Sequence, residues 1–183
     1  MPPSSKAEGN TMASFRHLSR RFFGSLVPGG PSAASEAWVS ELLLSGEADL
    51  WRRMRAPDRR HAVAVARRVE VALGPAASRP VLAAALLHDV GKIDARLGTY
   101  GRVVATLAGK LGGASMAHAW SEAEGFTRRV GLYLRHGELG ADRLRLAGSD
   151  ALTVAWAAEH HRPAEYWSLP PDVAAALKAA DDD

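Results

Sequence analysis

Residues 80–92 read PVLAAALLHDVGK. Seven consecutive apolar side chains, Val81 to Leu87, leave no polar stripe for solvent. A helix that is apolar all round belongs inside a protein, so this stretch predicts the central buried helix, from about Pro80 to Asp89. Gly91 marks its end. His88 and Asp89 stand side by side where it stops, and Lys92 follows at once. A carboxylate delivered to the end of a buried helix is costly unless it is paired or bound to a metal.

Outward from this helix the period stays helical. Upstream, Pro57 and Asp58 open a long helix running to about Gly74, with proline tolerated in the first turn and Asp58 placed to cap free amides. Before it come EAWVSELLL, with Gly46 as a C′ glycine, and the short helix EADLWRRM. Downstream, helices are expected at about 127–135, 138–147, 150–161 and 171–181. Residues 94–126 are less regular: GRVVATLAGKL is amphipathic, but Gly98, Gly101, Gly109, Gly112 and Gly113 interrupt it. No window alternates with a period of two over the length of a strand. The predicted fold class is all-α, with one domain over residues 35–183.

The N-terminus reads differently. Residues 1–13 are small and polar with two prolines and predict a disordered tail. In SFRHLSRRFFGSL (14–26), Phe15, Leu18, Phe22 and Leu26 oppose Arg16, Arg20 and Arg21, the pattern of a basic amphipathic helix. Such a helix packs on its own domain, lies on an anionic membrane surface or docks a protein. The Pro/Gly/Ser-rich VPGGPSAAS then reads as a linker.

Charge and composition narrow the function. The net charge of +3 resides in residues 1–35, and the rest balances to zero, which argues against a nucleic-acid polymer as partner. Cysteine is absent from all 183 residues, so disulfides, zinc fingers, iron–sulfur clusters and thiol nucleophiles are excluded, and a reducing cytosol suits the chain. No run of 18 apolar residues and no signal-peptide core is seen, and the expectation is a soluble, cytoplasmic protein. Any metal must be held by histidine, carboxylate or water.

Most of the seven histidines fall near helix ends. His61 opens the long helix, 27 residues before His88. His136 begins HGELG after a helix ending in YLR; His160 and His161 end ALTVAWAAEHH; Asp181 closes LKAAD. The order is H…HD…H…HH…D. Imidazole and carboxylate suit Zn, Fe, Mn or Ni. His17 and His118 match nothing in this order and read as surface residues, and the five tryptophans read as core.

This pattern, over residues 57–181, resembles the HD-domain metal-dependent phosphohydrolase superfamily. In motif order it is most similar to the HD-GYP branch: LLHDVGK resembles that branch's HDxGK segment, HGELG its HPxxG, EHH its paired histidines and AAD its closing aspartate. Gly137 replaces the proline, Arg162-Pro163 stands where the branch has glutamate, and no GYP segment follows, so residues associated with cyclic-di-GMP hydrolysis are missing. The 47 residues from Asp89 to His136 read as holding an insertion in 94–126, placed to shape or cover a pocket.

The resemblance implies two divalent cations. His61, His88, Asp89 and Asp181 match the ligands of the first, and Asp89 bridges to a second held by His136, His160 and His161. Asp89 and Lys92 match the catalytic positions, Lys92 as a contact to substrate phosphate. Two cations roughly 3.5–4 Å apart bind a phosphoryl oxygen, activate water and stabilise the leaving oxygen. Asp58, Glu138 and Glu159 are candidate acceptors for the outer N–H of the histidines. Arg135, Arg143 and Arg162 are candidate phosphate clamps, or ordinary solvated arginines. The implied substrate is a small anionic phosphoester or nucleotide, such as a cyclic dinucleotide or a dinucleoside polyphosphate. Two other readings keep the same residues: a di-iron oxygenase of the same superfamily, and a non-catalytic nucleotide-binding signalling module.

Overall fold

The structure is a computed structural model that describes residues 29–182. Among them every regular element is helical: α1 (Ala33–Leu42), α2 (Ser45–Arg53), α3 (Ala56–Leu73), α4 (Arg79–Leu87), α5 (Lys92–Ala95), α6 (Thr99–Ser121), α7 (Gly125–Leu134), α8 (His136–Leu146), α9 (Ala151–Glu159) and α10 (Pro171–Asp182), with single 3-10 turns at Gly74–Ala76 and Ala164–Tyr166. The all-α expectation holds. The tail, the basic helix at 14–26 and most of the expected linker lie outside the described residues. No helix described is long and apolar enough to cross a membrane.

α4 is the hub, as its composition requires. Each of Val81 to Leu87 is buried, and the helix packs between α3 and α9. α10 lies on α3, and α8 lies on α9. The main core gathers Trp51, Val65, Val69, Leu86, Leu87, Leu144, Trp156 and Leu177 around it. Trp156 is buried and Trp167 packs its ring against it at 5.6 Å, so these two rings are core. Three helices finish at one place. His88 and Asp89 follow the last turn of α4, His160 and His161 follow α9, and Asp181 lies in the last turn of α10.

Several glycines play a different part from the one their sequence context suggests. Gly46 sits inside α2 rather than ending α1; a Cβ there would strike the Ala147 carbonyl, so the glycine lets α2 lie against the end of α8. α1 ends earlier, where Leu43 turns extended. Residues 99–121 form one unbroken helix despite four internal glycines. A Cβ at Gly109 would lie 2.6 Å from Leu134 Cδ2, and one at Gly101 would lie 2.9 Å from Leu97 Cδ2. These glycines lower helix propensity, but the contact between α6 and α7 compensates. Ala95, Leu97, Ala105 and Val130 form a second, smaller core there. The helical hairpin therefore carries packing of its own and leads straight into His136.

Asp58 does not cap α3 either. Its carboxylate takes both arms of the Arg102 guanidinium, at 2.5 and 2.7 Å, and so ties the start of α3 to α6. A bidentate pair of this kind outcompetes a single amide bond, because two charge-assisted hydrogen bonds form at once.

Candidate metal centre

Helix geometry delivers the seven His and Asp side chains to one place, five of them buried, His61 half-buried and His161 exposed. His61 stands in the second turn of α3, with Nε2 3.0 Å from Asp181 Oδ1. His88 Nε2 is 3.4 Å from that same oxygen and 3.4 Å from Asp89 Oδ2. The other oxygen of Asp89, Oδ1, faces His136 Nε2 at 3.3 Å and His160 Nε2 at 3.9 Å. His161 Nε2 lies 3.0 Å from His136 Nε2. Two groups result: His61, His88 and Asp181 in one, and Asp89, His136, His160 and His161 in the other, with ligand atoms in each within 4.8 Å of one another. The two oxygens of Asp89 point to different groups, which is the placement a bridging carboxylate needs.

Ring orientation is set by the helices themselves. His88 Nδ1 donates to the Ala85 carbonyl at 2.9 Å, His136 Nδ1 to Tyr133 O at 2.6 Å, and His160 Nδ1 to Ala157 O at 3.0 Å. A carbonyl only accepts, so Nδ1 carries a proton and each ring turns Nε2 toward the cluster, where a metal ion would take the place of any proton held there. The expected carboxylate acceptors are engaged elsewhere: Asp58 with Arg102, Glu138 with Arg135, and Glu159 with the Ser168 amide at 2.7 Å. Helical side chains lean back over the preceding turn, so the carbonyl three residues earlier is the nearer partner. A backbone carbonyl has no signature in sequence, and its role could not be read there.

The polar atoms that remain ask for a cation. His88 Nε2, Asp89 Oδ1 and His160 Nε2 are buried and have no hydrogen-bond partner. Orphaned buried groups of this kind are rare and need an explanation. The His136 and His161 Nε2 atoms lie 3.0 Å apart, close enough to share a proton or to turn toward one ion. The donor set of nitrogen and carboxylate oxygen fits a borderline divalent ion. These buried His and Asp groups could hold a metal ion.

Electrostatics follow from the same packing. Burial would lower the His88 imidazole, but the Asp89 and Asp181 carboxylates outweigh it and raise the ring to about 10. For Asp89 burial works upward, and the Lys92 ammonium and His88 hold the carboxyl well below its usual range. His160 is lowered by burial, with His161 and His88 adding to the effect. His161 is open at the rim, yet is lowered as well, by the protein around its ring and then by His136.

These shifts predict the pH dependence of metal-free protein. The raised His88 contributes stability that is complete below pH 6.5 and is lost as pH rises toward about 10. The lowered His160 contributes stability that is lost as pH falls below 6.5, when the unfolded chain takes up a proton that the folded one refuses. Melting temperature without metal should fall by roughly 3–5 °C per pH unit between pH 7 and 9. Loading with metal should flatten that slope, because the ion takes the proton's place on His88. A flat melting profile without metal would contradict the coupling of His88 to its two carboxylates.

Of the remaining candidates, Lys92 reaches the site: its ammonium pairs with Asp89 Oδ2 and lies 5.7 Å from the Tyr133 ring. Arg143 is committed to Asp94, with Nε 2.7 Å from the carboxylate, and Arg135 to Ser121 and Glu138. Neither is a clamp here. Arg162 and His118 are exposed. Asp182 pairs with Lys178, so of the two described terminal acids Asp181 is the one that enters the cluster. Comparisons with protein-family models, with curated proteins and with solved structures give no match.

Proposed function

We propose that this chain is a metal-dependent phosphohydrolase of the HD superfamily, acting on a small anionic phosphoester, with two divalent cations of Fe, Mn, Ni or Zn type. One observation carries the reading: seven ligand side chains lie in two abutting groups, and Asp89 offers one oxygen to each. A pair of bound ions supplies Lewis acidity to the phosphoryl group and a water acidic enough to attack it. The chain's own residues do the rest. Asp89 holds the two groups in register, because its carboxylate can offer one oxygen to each, whereas a ring whose Nδ1 is held by a carbonyl has only Nε2 to give. The Nδ1–carbonyl bonds fix the rings, so no reorientation is needed at the moment of reaction. Lys92 places a positive charge beside Asp89, where it can offset the charge of an approaching phosphoester. In the overall reaction water adds to phosphorus and the ester P–O bond breaks, with the proton leaving on the alcohol.

The test is elemental analysis of protein purified without chelators, together with hydrolysis of bis-p-nitrophenyl phosphate in added Mn²⁺ or Fe²⁺. About two metal ions per chain with turnover is the expected result. Protein with neither metal nor turnover would overturn the reading. Two irons with oxygen consumption and no ester hydrolysis would move it to an oxygenase.

A further inference from the structure

Beside the cluster lies a cavity of about 460 Å³ lined by Arg53, Arg55, Lys92, Ile93, Arg96 and Gly98. Four of these six lining residues are basic and none is acidic. Elsewhere Arg59, Arg67, Arg79, Arg102, Arg143 and Arg145 each sit on an Asp or Glu. Among the described residues, Arg53, Arg55 and Arg96 meet no carboxylate within ion-pair distance. Cations gathered around one concave space repel each other and lower their energy when an anion enters.

The turn that forms one wall is held rigidly. Arg129 donates to the Ala95 carbonyl at 3.1 Å and to that of Arg96; Arg55 donates to Leu97 O at 2.7 Å and Arg102 to the same atom at 3.2 Å. The carbonyls of 95, 96 and 97 are thus engaged, which leaves a donor-rich wall. Arg96 has φ +48°, a left-handed conformation that a non-glycine residue adopts at some cost, here at the end of α5. At Gly98 an added Cβ would meet nothing within 4 Å, so the cavity is open there.

We infer that this cavity is an anion site for a second phosphate group of the substrate. The substrate class is then an ester bearing at least two phosphates: the scissile one at the His/Asp cluster, another between Arg53, Arg55 and Arg96, with Lys92 on the wall common to both. The volume is that of a small-molecule site, roughly 300–1,000 Å³, and guanidinium is the side chain best matched to phosphate oxygens. The word substrate rests on the phosphohydrolase reading. The anion site does not.

The test is calorimetric titration of metal-free protein with inorganic tripolyphosphate. Three proteins are compared: the parent, the double variant Arg53→Ala/Arg96→Gly, and a control of equal charge loss, Arg67→Ala/Arg145→Ala. Glycine at 96 removes the backbone cost, and thermal melting checks that both variants fold. The expected result is affinity at least ten-fold weaker in the cavity variant and near the parent's in the control. Parent-like affinity in the cavity variant, or an equal loss in both, overturns the site. Because the protein is metal-free and bis-p-nitrophenyl phosphate has a single phosphate, failure of ester hydrolysis and failure of polyphosphate binding remain separate outcomes.

Discussion

Replacing Asp89 with alanine should remove bound metal from both groups and lower any metal-dependent turnover by at least about a thousand-fold, on the scale of a lost catalytic charge in a preorganised site. The reason is geometric. Oδ2 faces His88 and Oδ1 faces His136 and His160, so one deletion takes a ligand from each side. It also leaves the Lys92 ammonium without this carboxylate, and removing one member of a buried pair costs about 3–5 kcal/mol. Asp89→Asn separates the two effects, since it keeps the shape and loses the charge. Metal analysis, hydrolysis and melting are measured on both variants. An Asp89→Asn protein that melts like the parent but holds no metal fits the bridging role. Unchanged metal content in both variants would refute it.

The second large effect is expected at a residue with no chemistry. Gly91 has φ −64°, an ordinary helical value, so conformational freedom is not why glycine stands there. A Cβ would strike the His136 carbonyl and lie 2.6 Å from the Gly140 amide nitrogen, both of them backbone atoms that no rotamer change can move. Gly91→Ala must push α8 outward and take His136 with it. The expected cost is about 3 kcal/mol or more, read as a fall in melting temperature of roughly 6–12 °C, with weaker metal binding besides. Gly98→Ala is the control. It has ordinary φ and open space, and its stability should stay within about 0.5 kcal/mol of the parent. Equal melting of the two variants would show that the contact of Gly91 with α8 is not tight.

What was legible in the sequence and what was not divide along a physical line. The all-apolar run 81–87 could go only to the centre, and a His-Asp pair at its end could only be buried, so the hub and its polar tip were readable from side chains. Helix periodicity likewise placed His136, His160, His161 and Asp181 near helix ends, and the structure brings them together with His61 and His88. Glycine misled. Gly46 read as a helix stop and Gly101 and Gly109 as interruptions, whereas Gly46 lets the Ala147 backbone approach and the other two lie inside α6 against the side-chain ends of Leu97 and Leu134. Sequence shows that a residue is small, not what lies next to it. Asp58 misled in the same way: its cap position was local information, while its partner Arg102 is 44 residues away. The arginine cavity was invisible too, because Arg53, Arg55 and Arg96 come from different turns and only the folded chain shows that no acid joins them.

The convergence of α4, α9 and α10 has one more consequence, which concerns sequence in time. The C-terminus of each helix carries about half a negative charge, and three of them meet where Asp89 and Asp181 already sit. On the proposed function, a phosphoester arriving before any cation would meet these helix ends and carboxylates at the reacting end, with only Lys92 and a protonated His88 to offset them. That reading expects ordered loading, with the ions first and the ester second.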